Sequence, residues 1–93
     1  MRIEALVKVI RKVFINARLH GVESRRDAGM AFHGLTFSLR ELELVPEIVE
    51  ELEEKLEERG YVLEGLWFRA DGDRLLVTVW LAPIEYFKRE VRE

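Results

Sequence analysis

Residues 61–69 and 74–82 are two strand-forming runs on either side of Asp71-Gly72, a dipeptide that strongly favours a tight hairpin turn. No other feature restricts the fold as much, because both faces of this hairpin are apolar. By simple alternation, Leu63 and Trp67 fall on one side of the first strand and Leu66 and Phe68 on the other. In the second, Leu75, Val77, Val79 and Leu81 oppose Leu76 and Trp80. A sheet with one wet face alternates apolar with polar residues, so this pattern predicts cover on both faces.

Two helices are expected to supply part of that cover. From Ile3 to Leu19, the residues Ile3, Leu6, Val7, Ile10, Val13, Phe14 and Ala17 recur at three- and four-residue spacing, with Val9 and Ile15 widening the stripe. Gly21 is the expected stop. A second helix is placed from Pro46 to Arg59, since proline suits the first helical turn and costs about 3 kcal/mol in the interior. Glu47 and Glu50 suit its positive end, and Gly60 closes it.

Between these helices, residues 20–29 read as a loop, after which Leu35, Phe37 and Leu39 alternate with Thr36 and Ser38 as a strand would. Ser38 to Glu41 also has the form of a capping box, with Leu42, Val45, Val49, Leu52 and Leu56 continuing at helical spacing, so residues 38–45 admit either state. After Pro83, the residues Ile84, Phe87 and Val91 mark a short helix among Glu85, Lys88, Arg89 and Arg92. No internal repeat is evident. The expected fold is a small two-layer α+β domain of order α-β-α-β-β-(α), its antiparallel sheet ending in a C-terminal hairpin packed by two helices.

Ninety-three residues, 48% of them hydrophobic, make a single domain over residues 1–93 with one modest core. No apolar run is long enough to span a membrane and no signal peptide is recognisable, so a cytoplasmic location is expected. Without cysteine there is no disulfide, thiolate metal site or cysteine nucleophile. The chain has no glutamine, one asparagine (Asn16), two serines and two threonines beside abundant Glu, Arg and Lys, a composition expected of a thermophile. Charge is polarised: residues 1–27 hold seven basic against three acidic residues, residues 28–66 three against ten, and the rest five against five.

The chemistry-bearing residues exclude more than they identify. His20 and His33 have no cysteine partners with which to build a zinc site, and Asp71-Gly-Asp73 lacks the further ligands of a calcium loop. Ser24 and Ser38 lie in no nucleophile motif, and Gly21, Gly29 and Gly34 match no phosphate-binding fingerprint. No catalytic, cofactor-binding or metal residue is assigned. An enzyme is the third-ranked reading and would place its site at a subunit interface around His33, Asp27 and the arginines.

The basic residues Lys8, Arg11, Lys12, Arg18, Arg25 and Arg26, with His20 and His33, are the candidate interaction or phosphate contacts. The leading expectation is a non-enzymatic, self-associating interaction or accessory module, a homodimer or larger homo-oligomer. Its second copy would cover the remaining sheet face, and Arg25 and Arg26 would pair with acids of the Glu-rich helix. The alternative is a small nucleic-acid-binding protein that uses the basic N-terminal helix and the segment carrying Arg25 and Arg26.

Overall fold

The computed structural model describes residues 2–40 and 45–91. The elements run α1 (Arg2–Val13), β1 (Arg18–Asp27), β2 (Met30–Leu39), α2 (Pro46–Glu57), β3 (Tyr61–Asp71), β4 (Arg74–Pro83) and α3 (Ile84–Val91). The four strands form one antiparallel sheet of order β1-β2-β4-β3. This is the expected two-layer α+β domain with its C-terminal hairpin, enlarged by one strand. Residues 18–27, expected to lie mostly in a loop, form β1, paired to β2 through a turn at Ala28-Gly29.

α1 and α2 share one face of the sheet and enclose the core. Leu6, Val9 and Ile10 from α1, Phe14 just past its end, and Leu52 and Leu56 from α2 meet Leu35, Phe37 and Leu39 of β2, Val77, Val79 and Leu81 of β4, and Tyr61 of β3. The inward stripe of α1 thus includes Val9. The helix stops at Val13, short of the expected Leu19, because Asn16 adopts a left-handed φ of 68° and turns the chain into β1. Ile15 is left exposed beyond the helix end. Gly21 ends no helix; it lies at an irregularity in β1.

α2 begins at Pro46 as expected, with no side-chain cap at Val45. It ends at Glu57, two residues before Arg59, and Gly60 with a φ of 85° directs the chain into β3. Ser38 and Leu39 belong to β2, so the capping-box reading does not hold for them. Residues 41–44, where the rest of that reading falls, lie outside the described residues. Among the described residues no helix is long and apolar enough to cross a membrane.

The two halves share one plan that the sequence does not announce. Helix starts lie 44 positions apart (Arg2, Pro46), as do the left-handed turns (Asn16, Gly60), the bulges (Leu19/Gly21, Leu63/Gly65) and the second-strand starts (Met30, Arg74). Each half is a helix followed by a hairpin, and the halves meet where β2 pairs with β4. Buried helix positions do not keep this offset, because Leu6 and Ile10 of α1 are matched in depth by Leu52 and Leu56, 46 positions on.

The bulge in β3 decides which side chains face the helices. An extra residue in one strand reverses the alternation beyond it. Leu63 lies opposite Leu81 and Leu66 opposite Val79, so both join the helix-covered face, while Trp67, opposite Thr78, turns to the other. The expected grouping of Leu63 with Trp67 is therefore corrected.

Candidate functional site

The face away from the two long helices is built by the even-numbered positions of β2 and β4 and by their cross-strand partners. Phe32, Gly34, Thr36 and Ser38 lie beside Leu76, Thr78, Trp80 and Ala82. Arg18, Gly21, Glu23 and Arg25 extend this face on β1, and Gly65, Trp67 and Arg69 on β3. At its centre the Thr36 and Thr78 hydroxyls share a hydrogen bond of 2.8 Å. Such a pair closes off the polar groups of the two middle strands and leaves a smooth floor between the flanking aromatics.

Both indoles are laid against glycine. A Cβ at Gly34 would stand 2.9 Å from Cη2 and Cζ2 of Trp80, which places the ring directly over the backbone of β2. At Gly65 a Cβ would lie 3.3 Å from Nε1 of Trp67. Trp80 is half-buried, and the Arg25 guanidinium stands 5.0 Å from its ring centroid, within cation–π range. Trp67 is 66% exposed on the edge strand β3. A large aromatic that open to water on a sheet face marks a contact surface more often than a packing residue.

Charge on this face is mixed. Arg18, Arg25, Arg69 and Arg74 are distributed over it, with Arg40 just beyond β2, while Glu23, Asp27 and Asp71 take positions on the same face and Glu64 lies at the β3 bulge. Arg25 pairs with Glu64 at 3.7 Å, and Glu64 comes from the β3 bulge. The Glu-rich helix lies in the opposite layer, so the expected pairing of Arg25 with it within one chain is replaced by this one. Because Arg25 is well exposed the pair is worth at most about 1 kcal/mol, and its effect is to steady the guanidinium over Trp80. Arg26 instead donates from Nη1 to the Gly29 carbonyl at 3.3 Å, bracing its own turn.

The expected contact residues are thus divided among three places. Lys8, Arg11 and Lys12 are exposed on α1 in the helical layer, where Lys8 and Lys12 border a shallow hollow with Glu4 and Arg59. Arg18 and Arg25 lie on the open sheet face, and His20 lines the hollow beside Trp67, Thr36 and Arg69. His33 lies on the helix side, its Nδ1 sharing a 2.8 Å hydrogen bond with the Ser24 hydroxyl and its ring 5.9 Å from that of Tyr61. Asp27, the acid considered as its catalytic partner, accepts a 3.3 Å hydrogen bond from the Tyr86 hydroxyl.

α3 folds over one end of the open face only. Tyr86 packs edge-on to Phe32 with ring centroids 5.0 Å apart, which closes the Arg25 end of the sheet. The expectation that the tail or a second copy covers this face is thus met by the tail at that end alone, and Trp67 stays open. Missing from the sequence-derived site were Trp67, Trp80, Arg69, Arg74 and Arg40. Their only local signal was a glycine just before or across from each indole, Gly65 and Gly34, and the second is visible only once β2 and β4 are paired.

In class, the fold and face define a small α+β domain with an open, aromatic and arginine-bearing sheet. No protein-family model matches the chain, and no curated protein or solved structure matches it.

Proposed function

We propose that the protein binds single-stranded nucleic acid on the open face of its sheet. The observation that carries this reading is the pair of indoles set against glycines, with Trp67 exposed to take a base and arginines around both. Single strands are bound by this combination, because every base offers a π-face and every linkage a phosphate. A duplex keeps its bases stacked on one another and offers Trp67 nothing to cover. The acidic α2 lies in the other layer and does not oppose the strand. The N-terminal helix, expected to be the binding element, is replaced in this reading by the sheet.

The chain has two tryptophans, both on this face, so intrinsic fluorescence reports the site directly. Titration with short single-stranded RNA and DNA is expected to quench emission saturably. Trp67→Ala is expected to weaken binding by about 1–3 kcal/mol, roughly 5- to 150-fold, as loss of one stacked base does. With four arginines meeting phosphates, log affinity should fall with log salt at a slope of about −3. Absence of quenching by either strand at low salt overturns the reading.

A second reading, self-association, is favoured by β1. This strand is a free edge exposed along nearly its whole length, with Leu19 and Val22 each 44% exposed. Unpaired N–H and C=O groups on such an edge can pair with the same edge of a second copy. Light scattering is expected to give twice the chain mass on this reading, with Val22→Lys restoring the monomer; a single-chain mass in dilute solution overturns it. The composition supports a thermostable, cytoplasmic form of either.

A further inference from the structure

We infer that the end of the open face opposite α3 holds a phosphate monoester, the terminal phosphate of a bound strand. This rests on the single-strand reading for the strand, while the anion site can be tested by itself.

Three elements converge there. Arg18 begins β1 opposite Ser38, Arg40 follows the end of β2, and Arg74 begins β4 beside the β3–β4 turn. Together with Ile15, Asn16 and Leu39 they line one hollow, and none of the described residues that line it is acidic. Among the described residues, no carboxylate lies within ion-pair distance of any of the three guanidiniums. Arg74 also donates from Nε to the hydroxyl of Ser38, a side chain only 8% exposed. That bond anchors the guanidinium of a residue that lines the hollow.

Three like charges brought to one hollow repel one another, and an anion that enters relieves that repulsion. Guanidinium groups suit phosphate because their fork matches two oxygens at once and they are weakly hydrated. A bridging phosphodiester presents one charge and two free oxygens. A monoester carries between one and two negative charges and three oxygens, one for each arginine. The hollow lies beyond Arg69 and Trp67 along the same face, so a strand stacked on the indoles would bring its end to it.

The test compares the full chain with Arg18→Ala/Arg40→Ala and Trp67→Ala variants against one oligonucleotide in three forms: 5′-phosphorylated, 3′-phosphorylated and unphosphorylated. Arg18 and Arg40 are exposed, so their removal leaves the core intact. One phosphorylated form is expected to bind about 10- to 100-fold tighter than the unphosphorylated one, the range of a charge-assisted hydrogen bond or two. The double variant should erase that ratio. Trp67→Ala should weaken all three forms alike and preserve it.

Inorganic phosphate, followed by the arginine Nε resonances, separates the two readings. Shifts of Arg74 Nε in the wild type that vanish in the double variant, with no oligonucleotide bound, support the anion site and overturn the stacking platform. Equal affinity for all three oligonucleotides, with unmoved arginine resonances in phosphate, overturns the anion site and leaves the platform standing.

Discussion

Phe37→Ala is expected to destabilise the protein by about 3–5 kcal/mol, the cost of removing a buried aromatic from a core that cannot fully collapse around the void. Phe37 is 0% exposed at the centre of β2, between Leu19 on β1 and Val77 on β4, beneath the two helices. Small domains have about 5–15 kcal/mol of total stability, so one substitution removes a large share of it. At about 4–8 °C per kcal/mol for a chain of this size, the melting temperature falls by well over 10 °C. Phe68→Ala is the control. Phe68 is 44% exposed near the end of β3, and its loss should cost under about 1 kcal/mol. Urea unfolding of both variants checks the contrast, and equal losses would mean that the core does not lie between helices and sheet.

Gly34→Val is expected to have the second largest effect, and it acts on the face opposite the core. Even the first added carbon would stand 2.9 Å from the Trp80 ring, closer than real side-chain contacts come, so the indole must leave the backbone it lies on. Arg25 then loses the ring it stands over. Overpacking of this kind costs about 1–3 kcal/mol. The readout that separates this from a general loss of stability is Trp80 emission, expected to shift to the red as the ring enters water. On the proposed function, oligonucleotide affinity falls with it. A variant with unchanged emission and melting temperature would show that Trp80 does not lie over Gly34.

Several elements could be read from the chain alone because their signals are local. Pro46 marked the start of α2, Asp71-Gly72 marked the hairpin, and the apolar spacing of residues 3–14 marked α1. β1 escaped because an edge strand exposed on both faces carries no alternation; its sequence, Arg18 to Asp27, is almost wholly polar and becomes a strand only by pairing with β2. The repetition of the two halves escaped for a related reason. At the 44-residue offset the identities Leu19/Leu63, Gly21/Gly65, Arg25/Arg69 and Asp27/Asp71 fall in the strands, while the buried helix positions are out of step by two.

The site was legible only in part. Arg18, Arg25 and His20 were singled out as basic residues close in sequence, and they do border the open face, but Lys8, Arg11 and Lys12 lie in the other layer. Trp67 and Trp80 were expected to be covered because alternation places apolar residues on both faces of the hairpin; the β3 bulge then moves Trp67 to the face of Trp80 and Leu76, which α3 covers at one end only.

By itself the sequence determined the class of the fold, the two helix-forming stripes, the C-terminal hairpin and the polarity of charge, since periodicity, proline and turn chemistry act over a few residues. The tertiary structure decided which side of the sheet each residue faces and which residues meet. Both depend on strand register and on two bulges, and register is set by pairing between segments as distant as β2 and β4.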